Sequence, residues 1–237
     1  MYAVGQEVVV GLDNLNREVI ACRRCARLVA WREQVAREKR RAYRDDEYWG
    51  KPLPGWGDPQ AHLLIVGLAP AAHGGNRTGR MFTGDSSADA LFIALYRAGF
   101  ANQPTSRHRN DGLMLRDAYI TAVVRCAPPA NRPTPAELHN CQSFLEREMD
   151  LLEQVQVVVA LGQIAFTGYL RAVAARGPSL PRPLPRFGHG QQYHLADGLP
   201  VLLASYHPSR QNTQTGRLTQ AMLDAVFLQA RQIIGQG

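Results

Sequence analysis

Four cysteines stand at spacings that a metal centre can use. Cys22-Arg-Arg-Cys25 is a local CxxC pair, and Cys126 and Cys141 follow far downstream. A local pair completed by two distant thiolates is a common way to close a four-thiolate site. Spacing alone leaves tetrahedral zinc and a [4Fe–4S] cluster nearly tied. The wide separation of the last pair fits a short zinc-ribbon knuckle poorly and tilts the balance slightly toward iron–sulfur. The plainer alternative is that Cys126 and Cys141 are ordinary buried thiols. Either metal centre would be coordinatively closed, so its expected role is a staple between the N-terminal helix and the rest of the fold. Arg23, Arg24 and Arg27 surround the CxxC pair, as a phosphate-binding edge or as a solvated helix face.

Three polar loops offer further chemistry. They are Gly67–Arg77, Pro128–Asn131 and His207–Arg217, and each follows an apolar run. The runs His62–Leu68, Ala118–Cys126, Val155–Leu161 and Leu199–Tyr206 lack polar alternation, as strands covered on both faces do. Helical patterns cover Asn14–Tyr43, Asp85–Ala98, Pro135–Leu152, Gln163–Ala175 and Leu218–Ile234. One start is well signed: Thr134-Pro135-Ala136-Glu137 supplies an N-cap, a proline at the first helical position and a glutamate at the third. Strands alternating with helices predict a three-layer α/β domain. In such a sheet the carboxyl ends of the strands form the ligand crevice, so the three loops should meet in one site.

Composition narrows the partner. The 237-residue chain carries a net charge of +7, and its basic residues are nearly all arginine, Lys39 and Lys51 being the two lysines. An arginine bias follows from a GC-rich genome as readily as from a polyanion ligand, but the charge acts in either case. No apolar run is long enough to span a bilayer and no secretory signal is visible, so a cytoplasmic, single-domain protein is expected. In a reducing compartment four cysteines read as ligands or buried thiols before disulfides.

Gly67-Leu-Ala-Pro70, Met81-Phe-Thr-Gly-Asp85, Arg125-Cys-Ala-Pro-Pro129 and Ser205-Tyr-His-Pro-Ser-Arg-Gln-Asn-Thr-Gln-Thr-Gly-Arg217 closely resemble motifs of uracil-DNA glycosylases. The match is best to the bacterial and archaeal type-b enzymes, called family 5, and runs from about Cys22 to the last helix. The resemblance implies an α/β/α sandwich on a four-stranded parallel sheet, and a [4Fe–4S] cluster on Cys22, Cys25, Cys126 and Cys141. It also implies monofunctional hydrolysis of the N-glycosidic bond of uracil and other deaminated bases flipped out of DNA, by a monomer.

Residue roles follow from that resemblance. Asp85 matches the family acid that orients water or balances the sugar cation, although as the residue before Ser86 it could equally be a helix N-cap. His207 resembles the donor to the carbonyl of the leaving base. Asn131 is a candidate to hold water or the base edge, with a turn-forming role as the alternative. Phe82 would stack on the flipped base or else belong to the core. Gly67, Ala69 and Ala71 are small enough for backbone N–H groups to approach it. Arg210, Gln211 and Asn212 form the expected wedge, and Arg77, Arg80 and Arg217 the expected phosphate contacts.

Two departures accompany the match. Family 4 relatives place a glutamate where this chain has Leu68, and Ala69 to Ala72 cannot activate water either. A uracil-reading asparagine of relatives is matched by Ala122. Both fit a pocket that accepts several deaminated bases. A non-catalytic iron–sulfur damage sensor is the competing reading, and a nucleotide hydrolase is disfavoured because no GxxxxGK loop is present.

Overall fold

The computed structural model describes residues 2–235. Its centre is a sheet of β1 (Trp56–Gly57), β2 (Leu63–Gly67), β3 (Ala118–Ala122), β4 (Val157–Leu161), β5 (Gln192–Tyr193) and β6 (Val201–Ser205). The spatial order is β1-β3-β2-β4-β6-β5. The four apolar runs form the parallel interior, with Leu63 opposite both Ala118 and Val157, and Val157 opposite Val201. The expectation of four strands is corrected at the edges: β1 and β5 add two-residue antiparallel pairs on β3 and β6. Neither is apolar enough to announce itself, since β5 begins with the polar Gln192 and Trp56-Gly57 lies in a stretch rich in glycine and proline.

Alternation explains the layers, because successive side chains on a strand point to opposite faces. Leu63, Ile65, Ile120, Val157 and Val159 join one core with α4 (Ser86–Arg97) and α8 (Gln220–Ile234). Leu64, Val66, Tyr119, Val158 and Ala160 join the other with α5 (Pro135–Leu151) and α6 (Gln163–Ala175). Every residue of β2, β3 and β4 is buried, as their continuous apolar runs require.

The N-terminal helix is corrected more strongly. One helix over Asn14–Tyr43 was expected, but the chain forms α1 (Tyr2–Ala21) and α2 (Ala26–Glu38), with the CxxC pair in the turn between them. No glycine or proline marks this break, so helical periodicity runs through it. Cys25 is the extended N-cap residue of α2, and its carbonyl accepts Val29 N–H at 2.9 Å. Cys126 likewise lies beyond the end of β3 rather than at it. The ladder stops at Ala122, but Val123 and Val124 still donate to Gly67 and Leu68 carbonyls at 3.0 Å.

The predicted cap of α5 is present in full. Thr134 Oγ1 accepts Glu137 N–H at 3.3 Å, and Glu137 Oε2 accepts Thr134 N–H at 2.7 Å. The same carboxylate takes both Arg27 Nε and Nη2, at 2.8 and 2.7 Å, which ties α2 to α5. Arg24 packs over Phe144 and donates to Asn140 O and Ser143 Oγ, while Arg23 pairs with Glu33. The arginines around the CxxC pair are therefore helix ties, not a free phosphate edge.

Candidate active site and cysteine centre

The loops after β2, β3 and β6 converge at the carboxyl end of the sheet around a cleft of ≈ 490 Å³. Asp85, Asn131, His207, Phe82, Ala69, Ala71, Ala122 and Gln211 all line it. This is where an open α/β sheet places its ligand, because strand ends and loops diverge there from the packed layers.

Asp85 caps α4. Its Oδ1 accepts Ser87 N–H at 2.9 Å and Ala88 N–H at 3.0 Å. Burial pushes its carboxyl above the ordinary aspartate value, and the two N–H bonds offset only part of that. The carboxylate is thus a helix cap and a cleft-lining group at once. Its second oxygen lies so close to Gly74 that a Cβ there would stand 2.0 Å from Oδ2. Gly74→Ala is expected to displace the carboxylate and slow turnover by about 10²-fold, the cost of a misplacement of roughly 1 Å. In an Asp85→Ala background the same change should do nothing further to the single-turnover rate.

His207 faces the cleft beside Phe82, their rings stacked at a centroid distance of 5.9 Å and 29°. Burial pushes its imidazole down from 6.5 to about 4, so it is neutral at physiological pH. The loop is held by Asn212, whose Nδ2 donates to His207 O at 2.8 Å, and by Ser209, which caps α7 (Arg210–Gln214). Asn212 therefore acts behind the site, while Gln211 reaches the cleft and Arg210 is exposed next to it.

Phe82 holds φ +49°, a left-handed conformation that costs an L residue with a bulky side chain. Its ring lies over Gly67, where a Cβ would come within 2.9 Å. Gly67 consequently sits behind Phe82 and not on the cleft wall. Ala130 and Asn131 are also left-handed, at φ +51° and +55°, which aims the Pro129–Asn131 turn into the cleft. Leu68, Ala122 and Ile164 supply apolar wall.

The arginines of the first loop are corrected. Arg80 is 8% exposed and is spent on Thr83, Ser106 and Asp111 at 2.9 Å. Arg77 pairs with Asp46 at 2.6 Å, donates to His73 O and Gly84 O, and stacks on Tyr43. Neither is a free phosphate contact. Arg217 is exposed and lies over the Tyr206 ring at 4.6 Å.

The four cysteines gather on the α5–α6 side of the sheet, where α1, α2, the end of β3 and α5 meet. Charge on Cys141 or Cys22 bears on Cys126, and charge on Cys25 or Cys22 bears on Cys141, so the thiols share one neighbourhood. Sequence reasoning missed its main supporting group. Arg32 is 2% exposed and donates through Nη1 to Cys126 Sγ at 2.9 Å and through Nη2 to Cys22 O at 3.2 Å. Its Nε has no partner, and no described carboxylate pairs with it. Burial pushes the Cys126 thiol up to about 12, so unligated it would be neutral and leave the Arg32 charge uncompensated, whereas a ligating thiolate would supply the counter-charge. The donor set therefore fits a thiolate-bound centre. Asn140 Nδ2 adds a contact to Cys25 Sγ at 3.5 Å. The signal was legible: Arg32 occupies an inward position among Leu28, Val29 and Val35.

A further buried pair fixes this corner. Arg125 donates to Glu148 through both terminal nitrogens, and Thr121 Oγ1 donates to the same carboxylate at 2.5 Å. Burial alone would lower Arg125; the adjacent Glu148 charge outweighs it and holds the guanidinium ionised.

Comparison with known proteins defines the class. Residues 54–231 match the model of the uracil DNA glycosylase superfamily, and the chain belongs to that family. Within it the chain is similar to the type-5 uracil-DNA glycosylase of Mycobacterium leprae, 54% identical over 225 residues, 94% of this chain and 96% of that protein. The type-5 enzymes of Mycobacterium tuberculosis and Thermus thermophilus are 53% and 51% identical. Those alignments cover 93% and 91% of this chain, and 81% and 94% of the respective relatives. No described helix is long and apolar enough to cross a membrane.

Proposed function

We propose that the chain excises uracil and other deaminated bases from DNA, hydrolysing the N-glycosidic bond of a nucleotide extruded into the cleft. The observation that carries this is the convergence of Asp85, His207 and Phe82 on one cleft in a member of this superfamily. Base loss builds cationic charge on the sugar and negative charge on the base. The Asp85 carboxylate balances the first and orients water. Neutral His207 donates to the base carbonyl as charge gathers there, much as a neutral imidazole serves as an electrophile elsewhere. Phe82 offers a ring face to any base, and the apolar Leu68 and Ala122 walls impose no uracil-specific hydrogen bonds. That composition supports acceptance of several deaminated bases. Free-base release from uracil, hypoxanthine and xanthine DNA, single- and double-stranded, tests the breadth. Release restricted to uracil would reject it.

Cys22, Cys25, Cys126 and Cys141 would hold a [4Fe–4S] cluster. Thiolates on one zinc at ~2.3 Å crowd around a single point. The likeness of the surrounding motifs to the type-5 enzymes favours instead a cluster, which spreads its ligands over separate irons. When bound, it supplies a closed structural clamp between the α1–α2 turn, β3 and α5. Catalysis rests on the residues of the cleft.

The two cleft groups set the pH dependence. His207 stays neutral until pH falls to about 4, so no break in rate is expected near 6.5. Asp85 must be ionised, and its carboxyl lies above the ordinary value, so activity is lost as pH falls through that raised value. A single-turnover pH profile without an acid limb, or with one at or below the ordinary aspartate value, would contradict the assignment.

A further inference from the structure

The buried Arg80 builds something that the catalytic account leaves unused. Its Nη2 donates to both oxygens of Asp111 at 2.9 Å, and Nη1 donates to Arg109 O at 3.2 Å. Asp111 is itself the hub of a turn: its carboxylate accepts the N–H groups of Arg107, His108 and Leu113 at 2.7, 3.3 and 3.1 Å. This turn docks on the cleft loop, because Gly84 N–H donates to Ser106 O at 2.9 Å, one residue before Asp85. A buried ion pair and at least three backbone bonds thus fix a short surface turn beside the mouth of the cleft.

The turn presents Arg107, His108 and Arg109, all exposed. Neither arginine has a carboxylate partner among the described residues, whereas Arg77 and Arg80 nearby are both neutralised. Arg109 lies over the Trp49 ring at 4.8 Å, and Lys51 Nζ approaches the same ring at 5.5 Å. The indole therefore gathers two cations at one edge of the turn. Below runs an open groove of ≈ 490 Å³ lined by Asp46, Glu47, Arg77, Thr78 and residues 107–110. Arg77 cancels Asp46 there, leaving Glu47 against the two arginines.

We propose that the Arg107–Arg109 turn is a phosphate-gripping surface, which holds the DNA backbone beside the extruded nucleotide. It takes the role that sequence reasoning gave to Arg77 and Arg80, and those residues act behind it as its support. The proposal rests on the reading of DNA as substrate. Cations on a prebuilt turn lose little conformational freedom on binding, so they suit a polyanion that must be held while one nucleotide is displaced. Such contacts release counterions, and each adds about −0.9 to the slope of log affinity against log salt.

The test measures binding of an undamaged DNA duplex by fluorescence anisotropy between about 50 and 200 mM salt. It compares the wild-type protein, R107A/R109A and R97A. Arg97 pairs with Asp224 at the far end of α4 and controls for net charge. The double variant should flatten the slope by about two while R97A leaves it unchanged. An unchanged slope in R107A/R109A, or an equal loss per charge in R97A, would overturn the proposal. Because binding to undamaged DNA needs no base release, failure of the glycosylase reading would show separately, as a wild-type protein that binds but frees no base.

Discussion

Asp85→Asn is expected to slow base release by about 10²–10³-fold, the usual cost of removing one preorganised electrostatic group. The thermal midpoint should hardly move. Asparagine is as good an N-cap as aspartate and can still accept from Ser87 and Ala88 N–H, so the helix start survives while the charge is lost. Asp85→Ala should match it in rate and lose about 1 kcal/mol of stability besides. Comparing the two by single-turnover kinetics and thermal unfolding separates the cap from the chemistry. A fully active Asp85→Asn protein would leave Asp85 as a cap alone.

Glu148→Gln should have the largest effect on stability. It leaves the Arg125 guanidinium, 1% exposed, without a counter-charge and weakens the bond from Thr121. Removing one partner of a buried ion pair costs about 3–5 kcal/mol. At the scale of this chain that lowers the Tm by roughly 6–20 °C. Arg125 immediately precedes Cys126, and Glu148 lies on the same helix as Cys141, so the loss should also loosen the cysteine centre. Iron content and visible absorbance per chain, measured with the melting curve, should fall together. An Arg125→Met/Glu148→Leu pair removes both charges and should recover much of the stability, although not the contact to Thr121. If Glu148→Gln melts as wild type does, the pair is not what secures this corner.

The parallel interior of the sheet and four of its flanking helices were legible because buried strands and amphipathic helices write their periods into sequence. The capping box of α5 was legible for the same local reason. The CxxC turn was not: Ala21 and Ala26 flank it with helix formers, and only convergence with Cys126 and Cys141 explains a break there. The edge strands were hidden because two residues carry no period. At the cleft, residue type and motif singled out Asp85, His207 and Phe82, and the structure brings all three to one cleft. The arginines were misassigned. Arg80 and Arg107 are chemically alike in sequence, and only burial against Asp111 makes one a strut and leaves the other facing solvent. Gly74 was equally silent, because its requirement is a close approach from a residue eleven positions away.

We propose that the cleft at the strand ends breaks the base–sugar bond and leaves the phosphodiester chain intact. The most direct measurement incubates a uracil-containing DNA duplex with excess protein and follows both free uracil and strand integrity. The account predicts one uracil released per site, with the phosphodiester chain intact until alkali cleaves the abasic product, and this release nearly abolished in Asp85→Asn. Binding without free uracil, or strand scission before alkali, would contradict it.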